Sequence, residues 1–142
     1  MRRMRVLVLM HKDLVPPEQL NGQDLETAAW KTEYDVVSTL RKLGHDVQAL
    51  GVKSDLEVIR AAVEDWKPHI AFNLLEEFDG TAVYDQNVVS YLELMRIPYT
   101  GCNPRGLMLA RDKALAKQVM SYHRIPYPEF MVVPLHRMVR RP

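Results

Sequence analysis

The sequence predicts an α/β fold in three layers, an open parallel sheet with helices on both faces. Short apolar, β-branched runs alternate along the chain with segments in which apolar residues recur at helical spacing. The first run, residues 5–10 (RVLVLM), is apolar almost without interruption, as in a strand covered on both faces. The segments between these runs are long enough for helical crossovers, which are right-handed between parallel strands.

The N-terminal half is predicted to hold three strands and two helices. A first helix is expected at residues 25–43, where apolar residues follow helical spacing and Gly44 supplies a stop. Residues 46–52 form the second predicted strand. Residues 54–57 (SDLE) have the form of a capping box and should begin the second helix. Residues 70–75 (IAFNLL) form the third predicted strand.

The C-terminal half continues the alternation of helices and strands. A third helix is marked by Tyr84, Val88 and Leu92, and a short strand is expected at residues 97–100. Asn103 before a proline is a strong helix start, because the asparagine caps free amides and proline suits the first helical position. Asp112 is a second start. A last strand is expected at residues 129–133 (EFMVV).

The tetrapeptide RIPY occurs twice, at residues 96–99 and 124–127. Arginine suits the C-terminus of a helix, where the macrodipole is negative. Isoleucine before proline is directed into extended geometry. Because the residues between the two copies are not similar, we interpret the repeat as a short local signal that ends a helix and begins a strand.

Composition and charge exclude several classes of protein. The chain has 142 residues, 47% hydrophobic and 26% charged, which is typical of one globular domain. Its net charge of +1 provides no field to attract nucleic acid or an acidic membrane, and the arginine-rich ends are interpreted as solvated. No apolar run approaches the roughly 20 residues that span a bilayer. Cys102 is the single cysteine, which fits a reducing compartment, so we expect a cytoplasmic protein.

Ligands of open α/β sheets bind beyond the carboxyl ends of the strands. Three stretches are predicted to lie there: residues 11–13 (HKD), 73–80 and 100–103. None contains a dinucleotide fingerprint, a P-loop or a nucleophile elbow, so no catalytic residue is assigned. The five histidines lie far apart without ligand-like spacing, so no metal site is predicted. Cys102 is interpreted as a partly buried, inert thiol rather than a nucleophile.

Two charged stretches each allow two interpretations. The loop at residues 76–80 (EEFDG) binds a cation or a substrate amine, or it is a solvated acidic turn in which Gly80 is left-handed. Residues 111–113 (RDK) place cations at a predicted helix start, where they oppose the macrodipole. That arrangement indicates an anion docked on the free amides, or a cost that Asp112 offsets as the N-cap.

Several motifs, taken in order, resemble the N-terminal portion of D-alanine–D-alanine ligases and their relatives in the ATP-grasp superfamily. The sequences DGT (79–81), LELMRIPYTG (92–101), DKALAK (112–117) and RIPYPEF (124–130) follow one another as they do in that family. Upstream, RVLVL (5–9) and LRKLGHDV (40–47) give weaker support. The resemblance covers most of residues 4–133.

The resemblance implies a pre-ATP-grasp domain, a Rossmann-like sheet that contributes to the acceptor pocket of a carboxylate–amine ligase. Such an enzyme uses ATP and Mg²⁺ and works through an acyl-phosphate. By position, Lys113 matches the family lysine that reaches ATP. Glu26, expected in the first helix, falls near the family glutamate that holds a substrate ammonium group. The remaining residues predicted on the substrate side are His11, Asn73, Asp79 and Gly80. A homodimer is also implied.

Three departures from the family pattern fall where the substrate would be recognised. The loop after the first strand reads HKDLVPPEQLNG (11–22) instead of a glycine-rich, serine-containing sequence. Asn73-Leu74 replaces a His-Gly pair, and about six extra residues follow the DGT motif. The resemblance therefore leaves open which small amino acid or peptide is the substrate.

We expect residues 1–133 to form the N-terminal domain, with residues 103–133 leading toward a central domain. Residues 134–142, a basic segment, would begin that central domain. The superfamily clamps ATP between central and C-terminal domains, so these are the expected partners, and the 142-residue chain alone is expected to be inactive and to bind no ATP. The alternative is a stand-alone, non-catalytic α/β binding or interaction module. A dinucleotide or nucleotide-sugar binder is disfavoured because the glycine fingerprint is missing.

Overall fold

A computed structural model describes residues 2–18 and 24–133 of the chain. Its centre is a three-stranded parallel sheet in the order β2-β1-β3. The strands are β1 (Arg5–His11), β2 (Asp46–Val52) and β3 (Ile70–Asn73). In the register of the sheet, Val8 of the central strand lies beside Ala49 and Phe72. The predicted fold class is confirmed.

Five helices and two short 3₁₀ turns surround this sheet in the described part of the chain. The helices are α1 (Lys31–Lys42), α2 (Glu57–Trp66), α3 (Asp85–Leu94), α4 (Pro104–Arg111) and α5 (Lys113–Tyr122). The 3₁₀ turns are Lys12–Leu14 and Ala82–Tyr84.

The central strand β1 contributes to two cores, one on each face of the sheet. Leu7 and Leu9 pack with Ile59 of α2 and Leu92 of α3. Val6, Val8 and Met10 point to the opposite face, where they pack with Val37 of α1. All five of these β1 side chains are buried, which explains why the run is apolar at successive positions.

The two predicted helix starts in the C-terminal half are confirmed. The Asn103 side chain accepts a hydrogen bond from the Gly106 amide at 2.8 Å, and Asp112 accepts one from the Leu115 amide at 2.9 Å. α4 packs against α3, and α5 follows α4 with Asp112 between them. Neither α4 nor α5 contains a fully buried residue, so both helices lie at the periphery of the described structure.

Both copies of RIPY end a helix in the same way. Arg96 and Arg124 adopt left-handed backbone conformations, with φ of 58° and 55°. The next amide then bonds back across the helix end, from Ile97 to the Leu92 carbonyl at 3.0 Å and from Ile125 to the Met120 carbonyl at 2.9 Å. This is the Schellman arrangement, which usually employs glycine. The repeat therefore ends a helix at both places, as predicted, although a left-handed backbone accounts for it more directly than the macrodipole does. Only the first copy leads to a strand contact, at Tyr99, and the second leads to none in the described residues.

Two of the predicted strands differ from the structure. The strand expected at residues 97–100 is reduced to a single parallel bridge between Ala71 and Tyr99. The strand expected at residues 129–133 is wrong, because these residues pair with no strand in the described ranges. Phe130, Met131 and Val132 are exposed there. An apolar, β-branched run becomes a strand only beside a partner edge, which its own sequence does not reveal.

Two helix starts in the N-terminal half also need correction. α1 begins at Lys31 rather than near residue 25. The Asp24 carboxylate accepts hydrogen bonds from the Glu26 amide at 3.0 Å and the Thr27 hydroxyl at 3.1 Å, and such local bonds compete with a helix. The capping box expected at residues 54–57 is not formed. Asp55, rather than Ser54, accepts the Glu57 amide at 2.8 Å.

The predicted start of a further domain at residues 134–142 lies outside the described residues. Within residues 2–18 and 24–133, every helix is too short or too polar to cross a membrane.

Candidate functional site

A cleft of about 460 Å³ opens at the carboxyl end of the sheet, and we call it the strand-end cleft. It lies between the ends of β1 and β3, the first turn of α1 and the last residue of α4. Its lining residues are His11, Leu14, Thr32, Glu33, Leu74, Glu76, Glu77, Ala82 and Arg111. This is the position at which open α/β sheets bind ligands.

A second cleft of about 480 Å³ adjoins the first, and we call it the helix-junction cleft. Its lining residues are Val83, Gln86, Met108, Arg111, Asp112 and Lys113. Arg111 lines both clefts, so the two share one wall residue.

A larger hollow of about 720 Å³ runs along α1 and the edge strand β2. It is lined by Asp46 to Ala49, the half of β2 that lies away from the carboxyl ends of the strands. None of the residues assigned to the substrate or to ATP from the sequence is among its lining residues, although Val15 to Glu18, in the loop after β1, are. We therefore place the candidate site in the strand-end and helix-junction clefts.

His11 is the last residue of β1 and lines the strand-end cleft, where the sequence predicted it. Its Nδ1 accepts a hydrogen bond from the Asp13 amide at 3.2 Å, which fixes the ring. Since Nδ1 is an acceptor, the neutral ring carries its proton on Nε2, and Nε2 lies 3.3 Å from Oε1 of Glu77. The pair joins the ends of β1 and the 76–80 loop across one wall of the cleft.

Glu33 is a cleft residue that the sequence analysis missed. It lies in the first turn of α1 and is only 6% exposed. Within the described residues its Oε2 atom has no hydrogen-bond partner. A signal was present, because Glu33 precedes Val37 and Leu40 at helical spacing and so interrupts the apolar face of α1.

Arg111 is held between α4, α3 and the 76–80 loop. Its guanidinium donates to Oδ2 of Asp85 from Nη2 at 2.6 Å and from Nε at 3.2 Å. Nη2 also donates to the Glu76 carbonyl at 2.8 Å. Asp85 begins α3 and is 3% exposed, so the pair is buried on the carboxylate side. The pair fixes Arg111 where it lines both clefts.

The position of Arg111 corrects one step of the sequence argument. Arg111 is the last residue of α4, where a cation is favourable, and it is not the start of α5. Its charge is already balanced by Asp85. The hypothesis of a docked anion at residues 111–113 therefore depends on Lys113, the first residue of α5, which lines the helix-junction cleft.

Glu26 and Asn73, predicted on the substrate side, have local partners instead. Glu26 lies in the turn before α1, not in the helix, and its exposed carboxylate pairs with Lys31. The Asn73 side chain accepts the Leu75 amide at 3.2 Å, and the Asn73 amide donates to the Thr100 hydroxyl at 3.1 Å. Neither residue lines the strand-end cleft. Asn73 is the last residue of β3, and its bond to the Leu75 amide fixes the chain just before the acidic loop at residues 76–80.

Asp79 and Gly80 form the tip of a tight turn between Phe78 and Thr81. Both have left-handed backbones, with φ of 53° and 69°, as in a type I′ turn. The Asp79 amide donates to the Lys53 carbonyl at 2.8 Å, which ties the turn to the segment after β2. Gly80 thus has the conformation that the acidic-turn interpretation predicted. The two residues are exposed and lie outside the lining of the strand-end cleft.

Two further side chains of this region are defined by the structure. Cys102, expected to be partly buried, is exposed. Tyr99 donates a hydrogen bond to Oε1 of Glu93 at 2.6 Å. This bond, with a smaller contribution from burial, raises the pKa of Tyr99 to about 12.

The described clefts can bind and orient a ligand. The strand-end cleft presents carboxylates and a fixed imidazole, and the helix-junction cleft presents an ammonium group at the start of a helix. Within residues 2–18 and 24–133, no cluster of three or more histidine, cysteine, aspartate or glutamate side chains is arranged to hold a metal ion.

The chain is similar in sequence to several curated D-alanine–D-alanine ligases. It is 34% identical over 103 residues to the enzyme of Acidiphilium cryptum, covering 72% of this chain and 33% of that protein. It is 36% identical over 89 residues to the enzyme of Azorhizobium caulinodans, covering 63% of this chain and 27% of that protein. The chain thus spans about a third of the length of these relatives. No model of a protein family matches it.

The fold agrees with that of solved D-alanine–D-alanine ligases. The crystal structure of the Bacillus anthracis enzyme complexed with ATP superposes with a TM-score of 0.64 at 18% identity. The superposition covers 96% of this chain and 42% of that one. Sequence similarity over a third of these enzymes, together with the shared α/β fold, shows that this chain resembles the N-terminal portion of D-alanine–D-alanine ligases.

Proposed function

We propose that this chain is the substrate-side domain of an ATP-dependent carboxylate–amine ligase of the ATP-grasp type. The observation that carries the proposal is the 34% identity, over 103 residues, to a D-alanine–D-alanine ligase. The position of the strand-end cleft supports it, because that cleft lies where open α/β sheets bind ligands. Since the chain spans a third of its relatives, the complete activity would need polypeptide equivalent to their other two thirds.

The chemistry of such a ligase has two steps. A carboxylate oxygen of one substrate attacks the γ-phosphorus of ATP, which gives an acyl-phosphate and releases ADP. The amine nitrogen of the second substrate then attacks the acyl carbon, and inorganic phosphate leaves as the amide forms and the nitrogen loses a proton. In this proposal the strand-end cleft holds a substrate while the nucleotide is gripped mainly by other domains.

Lys113 is the residue of this chain that we assign to the nucleotide. It lies in the first turn of α5, where amide groups are free of helical partners and the macrodipole is positive. A lysine ammonium group at such a helix end is suited to phosphate. Mg²⁺ would accompany the ATP, with ligands that the resemblance to the superfamily assigns to the other domains.

An exposed apolar surface supports the need for further polypeptide. Leu115 and Val119 lie one turn apart on α5 and are 38% and 37% exposed. The segment that follows adds Phe130 and Met131, 38% and 68% exposed. Large exposed apolar side chains gathered on one helix and the segment after it are typical of an interaction site. It fits packing of the 103–133 region against a central domain.

The proposal is tested by phosphate release from Mg-ATP with the complete gene product, across pairs of amino acids and dipeptides that include D-alanine. We expect release that depends on both an amine and a carboxylate substrate, with little release when either is omitted. Absence of substrate-dependent release across the panel would contradict the ligase and favour a stand-alone binding module.

A further inference from the structure

The carboxylate of Glu33 is in an unusual position for a charged group. The residue as a whole is 6% exposed, yet its Oε2 atom is buried with no hydrogen-bond partner within the described residues. Burial of an unpaired carboxylate is costly, and buried charges in proteins are normally paired. Glu33 is one of the residues that line the strand-end cleft.

The cations nearest to Glu33 in sequence and in the cleft already have partners. Lys31, two residues earlier, pairs with Glu26. Arg111, which also lines the cleft, is bound to Asp85 and to the Glu76 carbonyl. Each of these cations already holds a carboxylate, and Glu33 forms no ion pair within the described residues, so we expect the matching positive charge from a ligand.

The whole cleft has an excess of negative charge. Its lining residues include three glutamates, Glu33, Glu76 and Glu77, and one arginine, Arg111. Because Asp85 balances Arg111, the three carboxylates are left to a ligand and to the His11 ring. A neutral amino acid brings a carboxylate of its own into this field. A ligand with a second ammonium group brings one positive charge more, which the field favours.

We propose that the strand-end cleft is specific for a cationic amine, either a basic amino acid or a diamine, whose ammonium group is received by Glu33. As a statement about a substrate, the inference rests on the proposed function. As a statement about binding, it rests on the cleft alone. Glu33 is thus a specificity-determining residue. It lacks a partner in the described residues because the ligand's ammonium group is its partner.

The direct test is an NMR titration of the 142-residue chain with lysine and, separately, with norleucine at matched ionic strength. The two probes share their backbone and aliphatic side chain, and norleucine lacks the terminal ammonium group. We expect lysine to bind at least about 10-fold more tightly, because one hydrogen bond to a charged group corresponds to roughly that factor. Equal dissociation constants for the two probes would overturn the proposal.

Glu33→Gln keeps the shape of the side chain and removes its charge. We expect it to weaken lysine binding by roughly 10–100-fold and to leave norleucine binding unchanged. Glu64→Gln, on the exposed surface of α2, is the matched control and should bind lysine as the parent does. The melting temperature of Glu33→Gln should not fall, since an amide is less costly to bury unpaired. A lower melting temperature with unchanged lysine binding would show a structural role and refute the proposal.

Binding and turnover separate this inference from the proposed function. Lysine binding that depends on Glu33, without phosphate release by the complete gene product on any substrate pair, would remove the ligase and keep the cationic site. Phosphate release that is as good with norleucine as with lysine would keep the ligase and remove the cationic specificity.

Discussion

Asp85 and Arg111 join the start of α3 to the end of α4 through an ion pair with Oδ2 and Nη2 2.6 Å apart. Because Nη2 also bonds the Glu76 carbonyl, the same guanidinium fixes the acidic loop after β3. The carboxylate is 3% exposed, whereas 40% of the arginine side chain is exposed. The pair therefore holds together the two clefts of the candidate site while remaining open to solvent on one side.

Arg111→Met is expected to lower the free energy of unfolding by about 1–3 kcal/mol, because it leaves the buried Asp85 carboxylate without its partner. The loss should be moderate for a buried pair, since solvent reaches the arginine. Urea unfolding of the 142-residue chain measures it. Arg105→Met, on the exposed surface of α4, is the control, and an equal loss in both variants would show that the ion pair is not its cause.

Arg96→Gly is expected to raise the free energy of unfolding by about 0.5–1 kcal/mol, because glycine removes the strain of a left-handed arginine at a helix end. Arg41→Gly is the opposite control. Arg41 lies within the last turn of α1, so glycine there should cost about 1 kcal/mol or less. Thermal or urea unfolding compares the two. A loss of stability in Arg96→Gly would contradict the assignment of strain.

Tyr99 should ionise late in an alkaline titration. Its hydrogen bond to Glu93 raises its pKa from 10.0 to about 12, so the bond stabilises the fold fully below pH 10 and this contribution is lost as the pH rises through 12. Phenolate absorbance of the parent minus that of Tyr99→Phe isolates the residue. Glu93→Gln should bring the transition back toward 10. If Tyr99 ionises at the same pH in Glu93→Gln as in the parent, the hydrogen bond to Glu93 is not what raises its pKa.

Lys113→Ala should raise the KM for ATP several-fold in the complete gene product, because it removes the ammonium group at the start of α5. Steady-state phosphate release at varied Mg-ATP measures the change. Lys42→Ala, in the last turn of α1, lies outside both clefts and should leave the KM for ATP unchanged. Unchanged ATP kinetics in Lys113→Ala would remove its proposed role at the nucleotide.

The sequence predicted elements whose signals are local. The buried strand β1 follows from five successive apolar side chains, and α4 and α5 begin at Asn103 and Asp112 because each cap is satisfied within its own turn. The start of α1 was predicted about six residues too early, because the hydrogen bonds of Asp24 hold residues 24–27 in a turn rather than in the helix. Residues 129–133 were wrongly predicted to be a strand, because a strand forms only where another strand lies beside it to pair with.

The site was less predictable than the fold. His11 could be placed because it ends a buried strand. Asp85 and Arg111 pair across 26 positions of the sequence, and no local sequence pattern predicts such a contact. Glu33 interrupts the apolar spacing of α1 in the sequence, but its burial beside the cleft is visible only in the fold. The roles that the family resemblance implied for Glu26, Asn73, Asp79, Gly80 and Lys113 remain predictions.

The most direct test of the ligase proposal follows the carboxylate oxygen. The complete gene product would be supplied with Mg-ATP, an amine and a carboxylate substrate whose oxygens carry the heavy isotope. If the carboxylate is activated as an acyl-phosphate, mass spectrometry should find one heavy oxygen atom in each phosphate released during ligation. Release of unlabelled phosphate alongside amide product would contradict the account.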